Sequence, residues 1–164
     1  MRILGVMTIT ILLFLGSTDS TFGQDLDKEY YLGKQHWGVG VQAGLMSGMG
    51  VAVRFHPVAR FGFQFVGGAF KGSDNLLGSI GGEAQFDFDW SNRNRFYGYV
   101  GFGYYSNGKN DPDNLKAPLR AGLGVGYDWD ISNTLIMNVN LGLTYFTDGN
   151  FLPLPQIGLH YLFD

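Results

Sequence analysis

Three histidines are the residues of this chain whose type and spacing best suit a metal ion. His36, His56 and His160 fall on one row of an alternating pattern, near the ends of three predicted strands that would be neighbours in a closed sheet. Three converging imidazoles can bind Zn²⁺ or another transition metal. The alternative is that they are hydrated residues at the mouth of a barrel, joined to polar neighbours such as Asp128 or Asp164. Beyond this hypothesis, the sequence predicts no cofactor.

Charged and amide side chains on the same row form the second candidate set. Because an unpaired buried charge is costly, we expect the opposite charges to pair and to join the amides in one network. The predicted lumen network consists of Arg54, Glu83, Asp87, Arg120, Asn138, Asn140 and Gln156. Such a network would fill the interior of a narrow barrel and leave no open pore.

Nucleophiles for covalent catalysis are poorly placed. A lipid-modifying barrel enzyme needs a serine or histidine oriented by a carboxylate, and Ser79 and Ser106 have no base beside them in the sequence. The chain has no cysteine, which excludes thiol catalysis, disulfides and lipid attachment through an N-terminal Cys. We therefore expect no enzymatic activity and keep an acyltransferase or deacylase as the alternative.

The longest polar segment, Ser106–Pro118, is rich in Asn, Asp, Gly and Pro and is predicted to be a hydrophilic loop. It could present a surface for adhesion or for a partner. Asp111, Asp113 and Asn114 could hold Ca²⁺ weakly, but they lack the spacing of an EF-hand.

Composition indicates a chain whose surface faces an apolar medium. Charged residues make up only 15% of the 164 residues, against roughly 25% in ordinary soluble domains. The net charge of −3 gives no reason to expect nucleic acid as a partner.

The first residues have the layout of a secretory signal peptide. A short positive start at Met1 and Arg2 precedes an apolar run, Ile3–Leu15, and a small, polar exit. We place cleavage after Gly23, with a cut after Ser20 as the alternative. Residues 24–35 are then a periplasmic lead-in, and residues 36–164 form one domain.

Eight runs with period-two alternation follow, and most have the 9–11 residues that a tilted strand needs to cross a bilayer. They are His36–Leu45, Met49–His56, Phe61–Phe70, Leu77–Trp90, Arg95–Tyr105, Leu119–Trp129, Thr134–Phe146 and Leu154–Phe163. Short turns, such as Asp130–Asn133, alternate with longer loops, a pattern that places the turns in the periplasm and the loops outside.

One face of these strands is apolar throughout and carries no charge, whereas the other is polar and glycine-rich. A lipocalin-like arrangement would have to fit many large aromatic rings into a narrow lumen, which an eight-stranded interior cannot hold. The sequence therefore predicts an all-β, eight-stranded antiparallel up-and-down transmembrane β-barrel, with its apolar face towards lipid.

Aromatic residues cluster at the strand ends, as expected for the two girdles of a membrane barrel. The predicted girdle residues are Trp37, Phe55, Trp90, Phe96, Tyr127, Trp129, Tyr161 and Phe163 at the periplasmic ends, and Phe70, Tyr104 and Tyr145 at the outer ends.

Three segments carry a family resemblance: Arg95–Tyr104, Ala121–Trp129 and Ile157–Phe163. With them, most of the chain after residue 23 resembles the small outer-membrane β-barrels of the OmpA/OmpX-like, "porin family" group, Bacteroidetes-type. The resemblance implies contact with outer-membrane lipid and lipopolysaccharide, and with the barrel-assembly machinery during insertion. The chain departs from the family at its end, where Asp164 follows the terminal aromatic residue that this machinery reads.

These features predict an exported outer-membrane protein of a Gram-negative bacterium. Its expected role is structural, in envelope integrity, or that of an accessory subunit in a larger outer-membrane complex. A lipid-modifying enzyme is the alternative, and a narrow porin ranks third.

Overall fold

A computed structural model describes residues 36–57, 60–71, 76–90, 94–107, 118–132 and 134–163, apart from the side chains of His36, Trp90 and Asn107. The predicted signal peptide and lead-in, Asp164, and the proposed calcium ligands Asp111, Asp113 and Asn114 lie outside this part of the chain.

The described residues form eight antiparallel strands that close into one barrel in sequence order, with β1 pairing with β8. The predicted fold class is therefore confirmed. The strands are β1 (His36–Gly44), β2 (Gly48–His56), β3 (Phe61–Lys71), β4 (Leu76–Trp90), β5 (Asn94–Asn107), β6 (Leu119–Ser132), β7 (Leu135–Phe146) and β8 (Phe151–Phe163). Over these residues, no helix is long and apolar enough to cross a membrane.

We call the end at which β1 begins and β8 ends the terminal end, and the opposite end the loop end. The alternating faces of the strands separate as the sequence predicts. On the outward row, Ile80 is 65% exposed and Leu123 is 63% exposed. On the inward row, Gln64 and Asn138 are fully buried. Apolar side chains outside and polar side chains inside are the arrangement of a barrel that lies in lipid.

Strand β6 is longer than predicted. The sequence predicts a turn over Asp130–Asn133, but β6 continues to Ser132. Its pairing with β7 shifts register between Asp130 and Ser132, which is a β-bulge. A bulge accommodates an extra residue without ending the ladder, so this polar cluster does not end the strand.

Strand β8 also begins earlier than predicted, at Phe151 rather than Leu154, and contains Pro153 and Pro155. Residues 151–155 pair with β7 but not with β1, whose pairing with β8 stops at Gln156. Proline is tolerated on such an edge because it has no N–H to donate. The predicted strand starts too late because proline in a sequence usually indicates a loop.

Candidate functional site

The candidate site is the interior of the barrel, and its centre is the carboxylate of Asp128. Oδ2 of Asp128 accepts from Nη1 of Arg54 at 2.7 Å and lies 3.0 Å from Nε of Arg95. All three side chains are buried. Since each comes from a different strand, β2, β5 or β6, this bridge ties together strands that do not all neighbour one another.

Asp87 forms the second ionic contact at the terminal end. Its Oδ2 lies 2.8 Å from Nε2 of His56, and its Oδ1 lies 3.4 Å from Nη1 of Arg95. Arg95 therefore lies between Asp87 and Asp128 and contacts both carboxylates. A buried cation between two carboxylates is compensated by charge and by hydrogen bonds together, which offsets much of its desolvation cost.

Two glutamines extend this cluster. Oε1 of Gln64 accepts from Nε and Nη2 of Arg54 at 3.0 and 2.9 Å. Oε1 of Gln85 accepts from Nη2 of Arg95 at 2.6 Å, and its Nε2 donates to Glu83 at 3.1 Å. Gln85 thus joins the charges at the terminal end to those nearer the loop end.

Glu83 is the acceptor of the second polar centre. Its Oε1 lies 2.6 Å from Oγ of Ser47, 3.0 Å from Nε2 of Gln156 and 3.4 Å from Nε2 of Gln42. Nε2 of Gln156 also lies 3.1 Å from the hydroxyl of Tyr99. Several neutral donors around one carboxylate stabilise its charge without a cationic partner.

The connection between β1 and β2, Leu45–Ser47, folds into the barrel, and we call it the lumen turn. Met46 and Ser47 are 0% exposed, and Met46 packs with Tyr97 and Tyr99 in one apolar cluster. The space for it comes from glycines on the facing strands. A Cβ at Gly122 would lie 2.5 Å from the sulfur of Met46. The lumen turn closes the interior above the polar centres.

Arg120 lies apart from the carboxylates with which it was predicted to pair. Its guanidinium stacks 4.0 Å from the ring centre of Tyr105 and 5.0 Å from that of Phe146. Its Nη1 donates to the carbonyl of Leu45 at 2.7 Å. In place of the expected ionic partner, the guanidinium of Arg120 contacts the lumen turn and two aromatic rings.

The remaining predicted amides lie on β7 and are buried. Oδ1 of Asn140 accepts from the hydroxyl of Tyr97 at 2.8 Å. Oδ1 of Asn138 lies 3.2 Å from Nε2 of His160, and Nδ2 of Asn138 lies 3.5 Å from Oε1 of Gln42. Both amides therefore contact other side chains inside the barrel.

Two of the three histidines proposed as metal ligands lie in register, and the third is offset along the strand. His36 and His56 face each other in register, but His160 faces Gly40, four residues further along β1. His56 contacts Asp87, and His160 contacts Asn138. The described side chains, which exclude that of His36, contain no group of three metal-ligating residues. The metal site at these three histidines stays a prediction, with His160 offset from the His36–His56 pair along β1.

The described girdle residues lie near the two rims, and all but Phe70 are on the outward row; Phe70 pairs with Leu77 and falls on the inward row of β3. At the terminal end, Trp37 stacks on Phe55 at 4.4 Å, and Tyr127 on Trp129 at 4.5 Å. The side chains of Phe96, Tyr161, Phe163, Phe70, Tyr104 and Tyr145 are exposed, and that of Trp90 lies outside the described set.

Several interior residues were missed from the sequence. Alternation along β5 places Arg95, Tyr97 and Tyr99 on one row, and all three are buried. That row could have been found from the alternation alone, because Phe96 and Val100 mark the opposite face of the strand. Met46 carried no signal, because nothing in the sequence shows that a three-residue connection turns inward.

Comparison with known proteins supports the fold. No family model matches the chain, and no curated protein matches it. The N-terminal β-barrel domain of Pseudomonas aeruginosa OprF is 12% identical, with a TM-score of 0.50, over 79% of this chain and 96% of that one. The outer-membrane protein Ail of Yersinia pestis is 11% identical, with a TM-score of 0.45, over 79% and 98%. A major outer-membrane protein of Thermus thermophilus is 16% identical, with a TM-score of 0.44, over 79% and 100%. The similarity to OprF, at this identity, is one of fold: the chain is a small transmembrane β-barrel.

Proposed function

We propose that this protein is a closed outer-membrane barrel with a structural role in envelope integrity, or an accessory role in a larger outer-membrane complex. The observation that carries the proposal is the filled interior. Arg54, Arg95 and Asp128 cross-link the barrel wall near the terminal end, and the buried lumen turn fills the space above them. An eight-stranded barrel is just wide enough for side chains to fill.

The outer surface supports the same role. Its apolar side chains match outer-membrane lipid and lipopolysaccharide, the partners implied by a barrel with this exposed face. Insertion by the barrel-assembly machinery, export by a signal peptide cleaved after Gly23, and kinship with the Bacteroidetes-type barrels belong to the proposal. The glycine- and aromatic-rich strands β5 and β6 support that kinship.

Conductance across planar bilayers tests whether the barrel is closed. Purified protein should give no discrete current steps. The matched variant removes the apolar cluster by Met46→Gly, Tyr97→Ala and Tyr99→Ala, and the ionic bridge by Arg54→Ala, Arg95→Ala and Asp128→Ala. It should conduct if those side chains fill the lumen. Discrete steps from the unaltered protein would favour the narrow porin and overturn the proposal.

Cells that lack the gene test the structural role. We expect increased uptake of an apolar fluorescent dye across the outer membrane, and recovery when the gene is restored. Chemical cross-linking in intact cells tests the accessory role, because a subunit should yield a reproducible heavier product. Unchanged dye uptake together with a lack of cross-linked product would refute both roles.

We also propose that the barrel is not an enzyme. Ser47 does contact a carboxylate, that of Glu83, but it faces the lumen rather than lipid, and no described imidazole contacts its hydroxyl. Acyl transfer to a serine needs a base that takes its proton. Mass spectra of lipid A from cells with and without the gene should be identical, and a gain or loss of an acyl chain would contradict this.

A further inference from the structure

The barrel wall has a notch at the loop end. Strands β1 and β2 have nine residues each, the fewest among the described strands. Beyond their hairpin, residues 151–155 of β8 have no partner on the β1 side. Five residues correspond to about 17 Å of strand. Within the described part of the chain, the wall beside the lumen turn therefore lacks strand pairing between β8 and β1 at this level.

Along this notch, β8 has prolines at positions where other residues would leave a backbone N–H without a partner. Successive N–H groups of a strand point alternately to its two neighbours. Leu162 donates its N–H to Thr134, on the β7 side. Even-numbered positions of β8 therefore face β7, and Pro153 and Pro155 face the notch. Because an unsatisfied N–H is costly next to lipid, these prolines suit an edge that stays unpaired.

On the opposite side of the notch, a side chain satisfies the backbone of Met49. Pairing between β2 and β3 ends at Val51, which leaves the backbone of Met49 without a β3 partner. Oγ of Ser79 accepts from the N–H of Met49 at 3.0 Å and donates to its carbonyl at 2.8 Å. This contact passes over Gly68, where a Cβ would overlap the carbonyl oxygen of Met49. Both backbone groups of Met49 are therefore hydrogen-bonded although β3 does not pair with it.

An apolar groove of about 810 Å³ lies on the outer face of the wall at β1, β2 and their neighbours. Its lining includes three small residues, Ala43, Gly67 and Ala69, together with Met49 and Ile157. The shape and the apolar lining suit a hydrocarbon chain.

A cation lies at the top of the same hairpin. The guanidinium of Arg120 donates to the carbonyl of Leu45, in the lumen turn. Within the described part of the chain, it forms no ion pair with a carboxylate. Stacking on Tyr105 and Phe146 fixes its plane. A planar guanidinium held in this way is suited to bind a carboxylate through two parallel hydrogen bonds.

We propose that the notch is a lateral binding site for a long-chain carboxylate, whose tail lies in the groove and whose head group reaches Arg120 across the lumen turn. Charge complementarity selects this ligand over the neutral hydrocarbon of the bilayer. The inference goes beyond the proposed structural role, and it rests only on the location of the barrel in a membrane.

The test uses the full barrel in phosphatidylcholine nanodiscs. A photoreactive long-chain fatty acid is the charged probe, and its methyl ester is the neutral probe. Labelled peptides are located by mass spectrometry. With the photoreactive group in its tail, the acid should label β1 and β2 at least fivefold more than β5 and β6, and the ester should label all lipid-facing strands evenly. Arg120→Gln should reduce labelling by the acid to the level of the ester, whereas Arg120→Lys should retain part of the preference.

A second variant fills the groove without touching the interior. Ala69→Trp, on the exposed outer face, should abolish the preference, whereas Ala84→Trp, outside the groove lining, should leave it unchanged. Even labelling by the acid in the unaltered protein, or a preference that survives both Arg120→Gln and Ala69→Trp, would overturn the site. Failure of the ester to label any strand would instead contradict the membrane location on which the proposed function depends.

Discussion

Asp128→Asn is the substitution that should damage the interior most. The carboxylate of Asp128 contacts both Arg54 and Arg95 and is buried. An asparagine has nearly the same shape but no charge, so two buried guanidinium groups lose a common anion. Breaking a buried pair by removing one partner costs about 3–5 kcal/mol. Since Arg95 keeps its contact with Asp87, we expect the lower end, about 3 kcal/mol.

Urea unfolding of the barrel in lipid vesicles, followed by tryptophan fluorescence, measures this loss. With a slope of about 2 kcal/mol per molar urea, the midpoint should fall by about 1.5 M. The matched control is Asp148→Asn, in the exposed connection between β7 and β8, which should move the midpoint by less than about 0.3 M.

A double variant separates lost charge pairing from lost packing. Adding Arg54→Gln to Asp128→Asn removes the cation that is left without a carboxylate partner, so at least half of the lost stability should return. If Asp128→Asn behaves like the exposed control, or if the double variant loses the sum of both single effects, the ionic bridge does not stabilise the barrel.

Three further predictions concern the lumen turn, the lipid face and the notch. Gly101→Leu should displace Met46, whose Cε would lie 3.0 Å from the new Cβ, and cost about 1–3 kcal/mol, seen as faster amide exchange in the turn. Leu123→Arg, in the middle of the lipid face, should cost about 2–4 kcal/mol in vesicles, whereas Thr147→Arg at the loop end should cost at most about 1 kcal/mol. Ser79→Ala should cost about 1–3 kcal/mol because the backbone N–H and carbonyl of Met49 lose their partner. The urea midpoint of unfolding measures the loss for the lipid-face variants and for Ser79→Ala.

The faces of the barrel could be predicted from sequence because alternation is a local signal. A strand such as β7 shows its inward Asn138 and Asn140 and its outward Leu141 and Leu143 directly in the order of its residues. The exposed and buried rows of the structure follow that order. The number of strands follows in the same way, from the breaks between alternating runs.

Contacts across the lumen could not be predicted, because they depend on the stagger of strands that are far apart in the chain. Arg54 on β2 meets Asp128 on β6, and no local pattern relates those two positions. The same stagger separates His160 from His36. The position of Arg120 depended on an inward turn that has no sequence signature. The order of residues along a strand therefore predicts which side chains face the lumen, whereas the stagger of distant strands decides which of them contact each other.

Heat-modifiable gel mobility of the protein in isolated outer membranes tests the central claim most directly. A closed barrel whose strands pair all the way round should resist detergent until it is boiled. We predict that the unboiled band runs at a different position from the boiled band, and that all of the protein is in the membrane fraction. Recovery in the soluble periplasmic fraction, with no shift on boiling, would contradict the account and mean that the apolar row does not face lipid.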